Sequence, residues 1–178
     1  MQLTLTPLGD AGVEVLPPDV LWNGFTGDFA IATKPEQGGA GGLVAAHPLR
    51  TAAILLLFTD ARADTSDLRA EHRGDRRGWP GDGFDVDVAR GERPLGSKLW
   101  IYRRHELDDD TGRQVAAEAR RALQPLIDQQ AVVRVDTTFE VDKPGGKILL
   151  GIKLYGRDGR DAYADRFDLL WRRQDGGV

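Results

Sequence analysis

Two hydrophobic patterns dominate the chain, a helical stripe in its middle and a two-residue alternation toward its end. Pro48 suits the first turn of a helix, and Leu49, Ala52, Ala53, Leu56 and Leu57 follow at i, i+3 and i+4 spacing, which predicts a helix to about Arg62. Ile54, Leu55 and Phe58 widen the stripe until nearly the whole helix is apolar. Such a helix is expected to lie between other elements or under a partner subunit. A second helix announces itself by local chemistry. Leu107 can staple it, Asp108 can cap it, and Asp109 and Asp110 put negative charge at the positive end of the helix dipole. Val115, Ala119, Ala122, Leu123, Leu126 and Ile127 form its apolar face, with Arg113, Glu118, Arg120, Arg121 and Asp128 mostly opposite. Pro125 is expected to kink or loosen its last turns.

Alternation predicts three C-terminal strands. Apolar residues take mainly the odd positions from Val133 to Val141, Asp142 to Gly146 supplies a hairpin loop, and Ile148, Leu150, Ile152 and Leu154 form the facing stripe. Arg157 to Arg160 turns into a third strand, in which Phe167, Leu169 and Trp171 alternate with Arg166, Asp168 and Leu170. Short strands are also expected near the N-terminus. Leu3 and Leu5 alternate with Thr4 and Thr6, Pro17-Pro18 interrupts, and Phe29 and Ile31 flank Ala30 after a turn signal at Gly27-Asp28. Gly96-Ser97 offers an N-cap for a short helix over residues 98–102, with a strand as the alternative. The expected fold is therefore α+β: an antiparallel meander of three C-terminal strands plus short N-terminal strands, packed against two main helices. Residues 1–26 are expected to form an N-terminal β arm or hairpin, 27–173 a single domain, and 174–178 a flexible tail.

Composition adjusts this picture. The 178 residues include 22 Gly and 9 Pro, and much of that load falls in two places. One is the linker from Lys34 to Gly42, and the other is the Arg/Asp/Gly-rich stretch from Ala63 to Pro94. A connection as long as the second is expected to be functional or disordered. The net charge of −4 gives no global attraction for phosphate backbones, so nucleic acid is not an expected partner. Arg outnumbers Lys 19 to 5, which codon bias explains more readily than any use of the Arg fork.

Several chemistries find no pattern to support them. With no Cys, the chain has no disulfide framework, thiolate nucleophile or Cys-held metal centre. The longest apolar run, Ala52 to Phe58, is seven residues against the roughly 20 that span a bilayer, so no membrane span is expected. The first basic residue is Lys34, so no basic secretory leader is expected either. Gly38 to Gly42 lacks the Gly-Lys-Ser/Thr ending of a phosphate loop. Asp82, Asp85 and Asp87 do not follow calcium-loop spacing, and His47, His72 and His105 share no helix or strand face. No cofactor, metal or catalytic residue is assigned. Glu71, Glu92 and Glu106 are the acids near the long stretch that a glycoside hydrolase would draw on, although a solvated face explains them better.

The sharpest local feature is Gly74-Asp75-Arg76-Arg77-Gly78-Trp79-Pro80-Gly81-Asp82. A Trp in a polar loop gains a few kcal/mol at most when covered, so Trp79 is expected either to pin the loop to its own core or to dock on a partner. Arg76 and Arg77 suit clamping of carboxylates or carbonyls that would hold the loop in one shape.

With this loop the sequence resembles the Mu-type bacteriophage baseplate wedge proteins of contractile tails, themselves similar to the small wedge subunit once labelled lysozyme-like. The resemblance runs from about Gly27 to Trp171. It rests on Leu55 to Ala63 at the end of the apolar helix, the Gly74 to Asp82 loop, Gly96-Ser97-Lys98-Leu99-Trp100, the helix to Asp128, and Arg166 to Trp171. Pro80 stands where the family often carries a second Trp. The resemblance implies a non-enzymatic structural protein of the virion tail baseplate, made in the bacterial host cytoplasm. It would be present in several copies and would touch other wedge proteins, the tail sheath and the central spike. The implied interaction loop is Asp75, Arg76, Arg77, Gly78, Trp79, Gly81 and Asp82, with Gly96, Ser97, Trp100, Phe167 and Trp171 in support. Free strand edges would suit a neighbour's strand. The alternative, carried by the acids near the loop and the older label, is a peptidoglycan-degrading hydrolase.

Overall fold

A computed structural model describes residues 19–22, 26–31, 47–79, 81, 86–87, 89 and 93–170. Trp171, the expected tail, the strand at Leu3 and Leu5, the Lys34 to Gly42 linker, Asp82, Asp85 and Glu92 lie outside these residues. The elements are strands β1 (Val20–Trp22) and β2 (Gly27–Phe29), helices α1 (Pro48–Phe58), α2 (Leu99–Tyr102), α3 (Asp109–Ala122) and α4 (Gln124–Asp128), and strands β3 (Arg134–Asp142), β4 (Lys147–Tyr155) and β5 (Asp161–Leu170). The architecture is α+β, with one two-stranded and one three-stranded sheet, both antiparallel.

The C-terminal meander follows its alternation. Leu150 pairs with Phe139 on one side and Phe167 on the other, and Ile148, Leu150, Ile152 and Leu154 all point into the core. The opposite face carries ion pairs between strands, Lys147 with Asp168 at 2.8 Å and Arg166 with Glu140. In the β3–β4 hairpin, Asp142 Oδ1 accepts the Gly145 N–H at 2.8 Å, and Gly146 takes a left-handed φ of +61°.

Helix α3 covers β3. Asp108 caps it by accepting the Thr111 N–H at 2.8 Å, Asp109 and Asp110 occupy its first turn, and Arg120 and Arg121 its last. Thr137 Oγ1 donates to the Ala116 carbonyl at 3.0 Å, tying strand to helix. At Gly112 the strand comes close enough that a β-carbon would meet the Phe139 ring at 2.4 Å. The expected kink is an interruption at Leu123, after which α4 begins with Pro125 in its first turn. The proline cannot donate to the preceding turn, and its ring crowds the carbonyl four residues earlier.

Helix α1 ends at Phe58, short of Arg62, because Thr59 turns extended and its neighbours pair with another segment. It is not buried all round. Thr51, Ala53, Ile54 and Leu57 are buried, whereas Leu55 is 42% exposed. The β1–β2 hairpin lies against α1, with Trp22 stacked on Phe58 at 4.1 Å and the Val20 N–H donated to Thr51 Oγ1 at 3.0 Å. Gly27 and Asp28 are strand residues paired with Trp22 and Leu21, not a turn. The missing side chain of Gly27 lets β1 approach, since a β-carbon there would sit 3.2 Å from Val20. Phe29 and Ile31 are exposed.

Two further expectations are corrected. The stretch from Ala63 is not simply loose, for it contains 3₁₀ turns at Thr65–Asp67 and Ala70–His72 and a small second core of Ala63, Trp100 and Ile101 with Leu68. Glu118, expected on the solvent face of α3, is only 8% exposed. It accepts the Lys98 backbone N–H at 2.6 Å and a fork from Arg121, so its burial is compensated by three donors.

The β4 register predicts an asymmetry between adjacent leucines. Leu150→Ala is expected to cost about 2–5 kcal/mol in urea unfolding, and Leu149→Ala, on the opposite face, less than about 1.5 kcal/mol. Equal losses would contradict the register.

Candidate interaction loop

The loop is built on the short extended strap that leaves α1. Ser97 donates its N–H to the Thr59 carbonyl and accepts the Ala61 N–H, both at 2.9 Å, forming a parallel bridge between Asp60 and Ser97. Its hydroxyl bonds the Leu57 carbonyl, and the Leu99 N–H reaches the same oxygen at 3.2 Å. Ser97 therefore sits one residue before the N-cap, which is Lys98 with no side-chain cap. Gly96 makes the close approach possible. Its φ is +110°, and a β-carbon would fall 2.3 Å from the Thr59 carbonyl oxygen. Trp100 completes the scaffold by donating Nε1–H to the Ala61 carbonyl at 2.9 Å.

The loop fastens to the far side of this strap. Ala63 donates its N–H to the Arg76 carbonyl at 2.9 Å, and Arg76 Nε returns a bond to the Ala63 carbonyl at 2.7 Å. Arg77 reaches Asp60 through Nη1 at 3.1 Å and Asp75 through Nε at 3.4 Å. Its guanidinium also lies over the Trp100 ring at 4.9 Å, a contact worth about 0.5–2 kcal/mol. The Arg77 backbone N–H bonds Asp75 Oδ1 and holds that carboxyl below its ordinary range. Arg77 itself is left-handed at φ +44°, and Gly78 at φ +102° lets the chain pass the Arg62 side chain, where a β-carbon would meet Arg62 Cβ at 3.1 Å.

The two readings of the loop thus divide between its residues. Asp75, Arg76, Arg77 and Gly78 staple it, together with Gly96, Ser97 and Trp100, whereas Trp79 remains 41% exposed. The Trp79 ring lies over Gly81, where a β-carbon would come within 2.1 Å of it. Phe167 is elsewhere, buried in the main core with its ring edge-on to Phe58 at 5.2 Å.

Sequence spacing missed a histidine pair beneath the loop. His72 is fully buried, its Nδ1 accepting the Arg69 N–H at 3.0 Å and its Nε2 lying 3.1 Å from the Ile101 carbonyl. His105 is buried beside it, with ring centroids 5.8 Å apart, and Glu71 Oε1 lies 3.8 Å from His105 Nε2. Ligating atoms of Glu71, His72 and His105 come within 4.8 Å of one another. Both His72 nitrogens already serve the backbone, so an ion here would have to break one of those bonds, and the group fits a structural role. Of the other acids near the loop, Glu106 is exposed.

The phage protein GP46 family model matches residues 49–161, a span that includes α1, the strap, the loop and most of the sheet. The chain belongs to this family. It is 34% identical over 107 residues to baseplate protein gp46 of Escherichia phage Mu, and the match covers 60% of this chain and 65% of the Mu protein. No solved structure matches the chain. Every loop residue from Asp75 to Asp82 and the Gly96, Ser97, Trp100 support lies inside the GP46 span.

Burial, reinforced by the nearby Arg69 charge, holds the His105 imidazole below its ordinary range. An unfolded chain then takes up this proton first, so stability falls as pH drops through the ordinary His value near 6.5 and on through the lower folded value. Urea midpoints measured across this window are expected to fall more steeply for the native protein than for His105→Phe. Parallel profiles would contradict a buried neutral imidazole.

Proposed function

We propose that this protein is a non-enzymatic structural subunit of the baseplate of a contractile phage tail, or of a phage-like injection device. Its membership of the GP46 family and its likeness to the Mu baseplate protein support the assignment to a baseplate. The observation that carries the docking role is Trp79, a large aromatic left 41% exposed directly after the stapled segment Asp75 to Gly78. A rigid loop presenting one aromatic pays little ordering entropy on binding, and Trp is enriched among residues that dominate interface energies.

In this reading the loop meets neighbouring wedge proteins, with the sheath and central spike as the other partners of an assembly that holds several copies. The outer edges of β3 and β5, terminal in the three-stranded sheet, are available to a neighbour's strand.

Co-expression with the tail proteins encoded beside it is expected to yield a stoichiometric complex on a sizing column. Trp79→Ala is expected to weaken that complex by about 30-fold or more, corresponding to about 2 kcal/mol, without shifting the thermal midpoint of the free protein. Failure of the native protein to bind any of these neighbours would overturn the assignment. Clearing of peptidoglycan in a zymogram would instead favour the hydrolase reading.

A further inference from the structure

Beside the loop lies a groove of about 480 Å³ whose lining, among the described residues, includes Arg62, Arg76, Arg93, Lys98 and Arg121 but a single carboxylate, Asp64. This concentration of cations stands on a chain of net charge −4. We propose that the groove receives an acidic segment of a neighbouring protein, whose carboxylates bridge these side chains. The proposal rests on the docking reading of the adjoining loop and gives the partner its chemistry.

The cations differ in how firmly they are held. Lys98 is bound to Asp67 at 2.6 Å and Asp64 at 3.2 Å, so it is largely neutralised. Arg121 gives one edge of its fork to Glu118, and Arg76 gives Nε to the Ala63 carbonyl while its Nη2 stays 3.9 Å from Asp64. Both guanidiniums thus keep donors beyond those internal bonds. Arg93 meets Asp128 at 3.6 Å with a side chain 65% exposed, a pairing worth little in water and easily exchanged for a partner's carboxylate. Fixed Arg forks match the planar, bidentate geometry of carboxylates.

Phosphates would attract the same forks. A duplex, however, needs cations spread along a broad face, whereas these are gathered into one hollow with Asp64 and Asp67 beside it on an acid-rich chain. The concave shape and local charge favour a peptide over a nucleic acid.

Fluorescence anisotropy of the full-length protein with a fluorescein-labelled peptide of alternating Glu and Gly tests the groove directly. Binding is expected, with loss of signal when Gln replaces Glu in the probe and at high salt. Arg93→Glu, with an unchanged thermal midpoint, is expected to weaken binding about tenfold, and Arg62→Gln to weaken it in the same direction. No binding, equal binding of the Gln peptide, undiminished binding by Arg93→Glu, or tighter binding of a short random DNA duplex would each overturn the proposal. The sizing-column complex separates the two readings: a complex indifferent to Arg93→Glu removes the groove alone, and a peptide-binding protein with no tail partner removes the baseplate assignment alone.

Discussion

Ser97 ties the strap that leaves α1 to the start of α2. Its backbone N–H and carbonyl clasp Thr59 and Ala61, and its hydroxyl bonds the Leu57 carbonyl and lies 3.2 Å from the Leu99 N–H. The residue is 1% exposed, so each of these groups, left unmade, would cost on the order of 1–3 kcal/mol. Leu57 and Leu99 both belong to the main core, and the helix that Leu99 begins carries Trp100 and Ile101 into the second core. Helix α2 thus contributes to both clusters, and the backbone bonds of the strap fasten the end of α1 to its start.

The proposed docking loop and the groove beside it hang from that strap. Its near side is clasped by Ser97, and its far side receives the Arg76 backbone and side chain and the Arg77 bond to Asp60. The exposed Asp60–Arg77 pair adds little by itself, about 0–1 kcal/mol. It gains effect from acting with the Trp100 contact and the Ala63–Arg76 pairing, which together leave the loop one shape and Trp79 at its outer surface. The cationic groove shares Arg76 and Lys98 with the same framework, so a partner engaging the Trp79 side chain would find the groove already formed.

Local signals were read correctly where neighbouring residues decide the structure. The Asp108 cap, the dipole-matched ends of α3, and the alternation through β4 all depend on residues within a few positions of one another. The folded part of the long stretch was illegible because it is built from non-local backbone bonds and from left-handed arginines, Arg73 and Arg77, which no hydrophobic period marks. His72 and His105 meet only because the 3₁₀ turn at Ala70–His72 packs on α2, and Glu118 is buried only because the Lys98 backbone, twenty residues earlier, needs an acceptor. For the loop, sequence singled out the two arginines and the tryptophan but left open whether Trp79 pins the loop to its own core or docks on a partner. The Ala63 carbonyl and Asp60 of the strap take up both arginines.

Amide hydrogen exchange in Ser97→Ala bears most directly on this account. If the strap is the shared support, protection is lost at Ala61, Ala63 and the loop amides while Leu150 and Ile152 in β4 keep theirs. Unchanged protection at Ala61 and Ala63, or an even loss across loop and sheet alike, would contradict it.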